Sequence, residues 1–133
     1  MKKHLLMLAI ASSCFVATHA SAMTEAEYKV AKEKIEADHK VAKAQCNTLK
    51  DNAEDVCEKE AEGKQKVAKA ELEQQYKPST SHARKVAEEK VKAAYEVAKE
   101  KCDDQSGAAK SACEKQAKAD EAKGKADIKA MKM

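Results

Sequence analysis

Residues 40–61 read KVAKAQCNTLKDNAEDVCEKEA, and residues 96–117 read EVAKEKCDDQSGAAKSACEKQA. A shift of 56 positions carries Cys46 onto Cys102 and Cys57-Glu58-Lys59 onto Cys113-Glu114-Lys115. It also carries Val41-Ala42-Lys43 onto Val97-Ala98-Lys99. Extended outward, the shift sets Lys29-Val30-Ala31 on Lys85-Val86-Ala87, Glu33-Lys34 on Glu89-Lys90, and Leu72 on Ile128. A chain rich in Ala, Lys and Glu matches itself through composition alone. Two cysteine pairs with the same spacing of eleven are a different matter, and they define a tandem repeat of one supersecondary unit.

Within each unit the apolar residues recur at helical spacing. Val30, Ala31, Ile35, Ala42, Cys46 and Leu49 form one stripe, and Ala53, Val56, Cys57, Ala61, Val67, Ala68 and Leu72 the next. The second unit gives Val86, Ala87, Val91, Ala94, Val97, Ala98 and Cys102, then Ala109, Cys113, Ala117, Gly124 and Ile128. The expectation is an all-α protein of four helices, about 25–50, 53–76, 82–104 and 108–131, arranged as two tandem antiparallel hairpins. Asp51 with Glu54 suggests a capping box after the first helix, and Ser106-Gly107 marks the equivalent turn in the second unit. Lys77-Pro78-Ser79-Thr80-Ser81 is the Pro/Ser cluster between units, so the expected divisions are hairpin 1 over 23–77, a linker over 78–81 and hairpin 2 over 82–133. The pairs Glu36–Lys40, Glu60–Lys64 and Glu114–Lys118 stand four apart with the acid first and are expected to support their helices.

Cys46 stands about one turn before its loop and Cys57 a similar distance after it, so an antiparallel hairpin brings them face to face. A disulfide needs Cα atoms within about 7 Å, and Ala42, Ala53 and Ala61 permit such an approach. Cys102 and Cys113 repeat the arrangement beside Ala98, Ala109 and Ala117. Of the three possible connectivities, hairpin geometry favours Cys46–Cys57 with Cys102–Cys113. Four-thiolate zinc sites use pairs two to four residues apart, and a redox centre uses Cys-x-x-Cys. Neither spacing is present.

The beginning of the chain points to export. Lys2 and Lys3 precede an apolar stretch from Leu5 through Ala17, too short to span a bilayer. Ala20-Ser21-Ala22 then supplies small residues for cleavage, after Ala22 or after Ala20. Residues 1–22 are therefore expected to be a signal peptide, and the protein to reside in the periplasm. A lipoprotein anchored through Cys14 is the lesser alternative. An even number of cysteines after Met23 suits an oxidising compartment.

Composition narrows the functions. The 26 Lys and Arg face 23 Asp and Glu, and loss of Lys2 and Lys3 leaves a balance near +1. That is a poor footprint for nucleic acid, and none is expected as a partner. No second apolar segment is present, so no membrane insertion is expected after processing. Val, Ile and Leu number eleven beyond residue 22, which raises disorder as an alternative. The charges are interleaved, however, and the dominant residues are strong helix formers. A core this thin leaves the packing of one hairpin on the other open. A loose four-helix bundle and two hairpins swinging about Pro78 both fit, with the looser arrangement favoured because the interface between them is mostly Ala. Oligomeric state stays open as well.

No catalytic residues are expected. The acids lie on solvated helix faces, and Ser79, Ser81, Ser106 and Ser111 have neither a glycine-rich elbow nor a paired base. No cofactor is expected. His39 and His82 read as surface histidines without a second ligand at helical spacing, and Met23, Met131 and Met133 lie toward the ends of the processed chain. A periplasmic metal buffer drawing on His39, the methionines and the carboxylates is the alternative to a non-catalytic helical protein. The Val-Ala dipeptides at 30, 41, 67, 86 and 97 are expected to form the hairpins' own seams.

The pattern Lys40-Val41-Ala42-Lys43, Cys46, Cys57-Glu58-Lys59-Glu60-Ala61, repeated as Glu96-Val97-Ala98-Lys99, Cys102, Cys113-Glu114-Lys115-Gln116-Ala117, resembles a group of exported proteobacterial proteins rich in Ala, Lys and Glu. Some of these are likened to the long helical domain of the envelope protein TolA. No segment here matches TolA's membrane anchor or globular C-terminal domain. The resemblance implies a place in the bacterial envelope, with partners among other envelope proteins met through helix contacts, and it supplies no activity.

Overall fold

The computed structural model describes residues 22–131. The signal-peptide reading, apart from Ala22, falls outside that range, and so do Cys14 and Met133. Four helices follow in order: α1 (Glu25–Cys46), α2 (Asn52–Tyr76), α3 (Thr80–Lys101) and α4 (Gly107–Ala130), with a short 3-10 turn at Cys102–Asp104. Among the described residues there is no strand. The all-α architecture of two stapled hairpins is as the periodicity indicates.

α1 begins with a full capping box. The Thr24 hydroxyl accepts the Glu27 N–H at 3.2 Å, and the Glu27 carboxylate accepts the Thr24 N–H at 2.8 Å. These two bonds satisfy donors that a helix start leaves unpaired. The helix ends at Cys46, four residues before the expected limit. Thr48 closes the turn by donating its hydroxyl to the Gln45 carbonyl at 2.7 Å, one of the local bonds by which Thr competes with helix. Leu49 is thereby placed in solvent and leaves the stripe it was assigned to.

Asp51 is not the cap it resembled. Its side chain makes no capping bond, and its backbone takes φ 55°, ψ −145°, a region that L residues other than glycine rarely adopt. Its repeat equivalent is Gly107, at φ +57°. Both hairpin loops thus enter their second helix through a left-handed residue, and only the second loop uses the residue suited to it. The linker is also shorter than its sequence suggested. Ser79 caps α3 by accepting the His82 N–H at 3.0 Å, so Thr80 and Ser81 are helical and Lys77-Pro78 carries the connection.

Each helix packs on its neighbours in sequence. α1 lies on α2, α2 on α3 and α3 on α4, and the α2–α3 contact is the most extensive of the three. α1 and α4 share no extended contact among the described residues. The arrangement is an open array, neither a closed bundle nor two independent hairpins. Its α2–α3 seam is built from small residues. A methyl group added at Gly63 would lie 2.8 Å from Cβ of Ala93, so the two backbones approach as closely as glycine allows. In hairpin 2, Gly124 plays the same part against Val91, with 2.7 Å to the nearer methyl.

The buried residues repeat with the sequence. Cys46 and Cys102, Ala61 and Ala117, and Leu72 and Ile128 are buried in equivalent pairs, and Ala70 joins them from the α2–α3 seam. Val30 and Val41 behave otherwise. They are 67% and 59% exposed on the side of α1 away from α2, so these two Val-Ala dipeptides set only their alanines toward the hairpin seam.

Candidate functional site

Two cystines hold the loop ends. Cys46 and Cys57 are bonded with Cα atoms 5.4 Å apart, and Cys102 and Cys113 with Cα atoms 5.6 Å apart. Cys46 and Cys102 are fully buried, which places their sulfurs in the hairpin core. The cysteines are structural staples joining antiparallel helices, as their spacing indicated.

At its open end hairpin 1 has a second clasp. The rings of Tyr28 and Tyr76 stack with centroids 4.5 Å apart, and the Tyr28 hydroxyl donates to Glu73. That carboxylate acceptor favours the neutral phenol and pushes the Tyr28 pKa above its ordinary value, with burial adding in the same direction. Hairpin 2 carries Arg84 where hairpin 1 has Tyr28.

Between α2 and α3 runs an open apolar groove of about 630 Å³. Its floor is Gly63, Val67, Ala68, Ala93, Ala94, Val97 and Ala98. Ion pairs cross the seam near it: Lys101–Glu60 at 3.1 Å toward one end and Lys90–Glu71 at 2.7 Å toward the other. Lys66–Glu96 at 3.7 Å joins the same two helices. Val67 and Val97, assigned to hairpin seams, are thus shared with this inter-hairpin groove. One sequence signal pointed there. Gly63 sits inside a helix, where glycine costs about 1 kcal/mol relative to alanine, and such a residue needs a packing reason.

The carboxylates expected to pair along their own helices reach across instead. Glu36 binds Lys69 of α2 at 2.5 Å and accepts from Gln65 at 2.8 Å, while Glu60 binds Lys101 of α3. Glu114 and Lys118 form no ion pair among the described residues. The Lys69 ammonium holds the Glu36 carboxyl below the usual carboxylate range, with His39 and Gln65 contributing. Such exposed pairs are screened by solvent and add little to stability.

Neither histidine is a plain surface residue. His39 is half-buried between α1 and α2 beside Ile35, Ala42 and Ala61, and its Nδ1 has no hydrogen-bond partner. It occupies the repeat position of Tyr95, which lies half-buried over the α3–α4 groove. His82 donates from Nδ1 to the Lys77 carbonyl at 2.7 Å and so braces the linker. Met131 is exposed. No three His, Cys, Asp or Glu side chains converge as metal ligands among the described residues. No helix among them is long and apolar enough to cross a membrane.

Comparison with protein-family models, with curated proteins and with solved structures finds no match.

Proposed function

We propose that this protein is a non-catalytic component of the bacterial envelope, exported to the periplasm, that acts by helix contact with other proteins in a structural or stress-protective role. The observation that carries the reading is the amount of apolar helix surface left uncovered, namely the Val30–Val41 face of α1 and the floor of the α2–α3 groove. Such a groove, floored by methyl groups and rimmed by paired charges, favours packing against another apolar surface. Its rim charges are paired with one another across the seam. The leader-like residues 1–22, the two cystines and the resemblance to exported Ala/Lys/Glu-rich proteins support the location.

In-cell photo-crosslinking tests this. A photoreactive residue at Val41 or Val97 is expected to give discrete adducts in the exported fraction, and one at the solvated Lys118 is expected to give none. Recovery of no specific adduct from either apolar face, across growth and envelope-stress conditions, counts against the reading.

A further inference from the structure

We propose that the outer face of α1 and the outer face of α4 dock on each other between two copies of this chain, repeating head to tail the contact that α2 and α3 make within one copy. The proposal deepens the helix-contact reading by naming one partner, a second copy. It starts from the repeat. α3 meets α2 through Ala93 and Val97, with the half-buried Val86 seven residues before Ala93, and the equivalents of these three on α1 are Val30, Ala37 and Val41. α2 meets α3 through Gly63 and Ala70, both buried, and their equivalents on α4 are Ala119 and Ala126. All five of those counterparts on α1 and α4 are exposed. The two flanks of the molecule therefore display the two halves of a contact already formed at its centre.

The charges follow in part. Lys90–Glu71, paired at 2.7 Å within the chain, has Lys34 and Asp127 as its counterparts, again opposite in sign. Lys101–Glu60 becomes Gln45 and Gln116, two amides able to bond each other. Other changes weaken the copy. Lys66–Glu96 becomes Ala122 and Lys40, Val67 becomes Lys123, and Ala119 replaces the glycine that gave the closest approach. The contact between copies is accordingly weaker than the one inside, and association appears only at high concentration. Because the two faces differ, the contact does not close on itself as a two-fold dimer. It extends into open chains or rings.

Sedimentation of the exported, oxidised protein from about 10 μM to about 1 mM tests this with two double variants, Val30→Glu with Val41→Glu and Ala122→Glu with Ala126→Glu. All four positions are exposed, and unchanged helicity with no free thiol verifies each fold. The wild type is expected to grow past dimer as concentration rises. Each variant alone is expected to associate at least tenfold more weakly, and an equimolar mixture to stop at a one-to-one dimer, since each variant keeps one intact face. A wild type that stays monomeric at about 1 mM overturns the proposal while leaving contact with other proteins to its crosslinking test. A dimer plateau abolished by the α1 variant and untouched by the α4 variant overturns it too.

Discussion

Ala70 in hairpin 1 and Ala126 in hairpin 2 occupy the same place in the repeat, yet the first is buried and the second exposed. Gly63 and Ala119 differ in the same way. By contrast Leu72 and Ile128, Ala61 and Ala117, and Cys46 and Cys102 are buried in both units. The interior of a hairpin is therefore formed twice in this chain, while the seam between hairpins is formed once. α2 is held from two sides and α4 from one. Hairpin 1 also has the Tyr28–Tyr76 stack at its open end, where hairpin 2 has Arg84 in place of Tyr28. Position in the array gives each hairpin one inner and one outer helix, so the unequal support of the two copies comes from the Tyr28–Tyr76 clasp of hairpin 1.

The cystines offer the largest test of that inequality. Each closes a short loop and contributes about 2–3 kcal/mol in the chain-entropy account. Replacing Cys102 and Cys113 together by Ser is expected to lower the thermal midpoint more than replacing Cys46 and Cys57, because α1 keeps the Tyr28–Tyr76 stack and the Glu36–Lys69 pair to α2 when its cystine is lost. Calorimetry with hydrogen exchange reads this, and equal losses would show the two hairpins to be equally supported. Residual helix is expected in both variants, since Ala, Glu and Lys retain local propensity.

A second comparison isolates the seam. Gly63→Leu forces α2 from Ala93 and is expected to cost about 1–3 kcal/mol, the usual range for overpacking. Ala119→Leu, its equivalent on an exposed face, is expected to change dilute-solution stability by less than about 0.5 kcal/mol. Similar denaturation midpoints for the two variants would mean that α2 and α3 do not pack as described.

The loops give a smaller contrast of opposite signs. Asp51→Gly removes a strained left-handed residue and is expected to stabilise by about 1 kcal/mol, whereas Gly107→Asp introduces the strain and costs about as much. Chemical denaturation of the two variants measures both. A destabilising Asp51→Gly would contradict the backbone geometry of the first loop.

The smallest effect is electrostatic and belongs to hairpin 1. Glu36 is held below its ordinary pKa, so its contribution is present above that ordinary value and lost as pH falls through the folded one. Tyr28 is held above its ordinary pKa, so its contribution is present below that value and lost as pH rises through the folded one. The equivalents in hairpin 2 are Lys92 and Arg84, neither a carboxylate nor a phenol. Protection of α1 amides from hydrogen exchange is expected to fall at both pH extremes, and Glu36→Gln to remove the acid response near Glu36 while leaving that of the Glu27 capping box and the alkaline response.

The helices and staples were legible in the sequence because cysteine spacing and apolar periodicity constrain local geometry. Boundaries failed where a side chain competed with the helix, as at Thr48, or where backbone conformation overrode a capping pattern, as at Asp51. Docking of α2 on α3 was harder to read, since periodicity says that a stripe is apolar without naming its neighbour. The signal lay in differences between repeats. Val67 against Lys123 and Ala94 against Asp38 mark α2 and α3 as the helices with apolar residues outside their own hairpin seam. The crossing ion pairs of Glu36 and Glu60 were illegible for a related reason. A long side chain reaches four residues along its own helix about as easily as across to the next, and only the placement of the neighbour decides.

Both cystines join cysteines that are consecutive in the chain. A polypeptide threaded N-terminus first into an oxidising space presents Cys46 and then Cys57 before Cys102 has emerged. Its first bond can form before Cys102 and Cys113 are within reach, and its second when Cys46 and Cys57 are already joined. Under the proposed export, oxidation in order of appearance is expected to yield the native pairing without a disulfide isomerase.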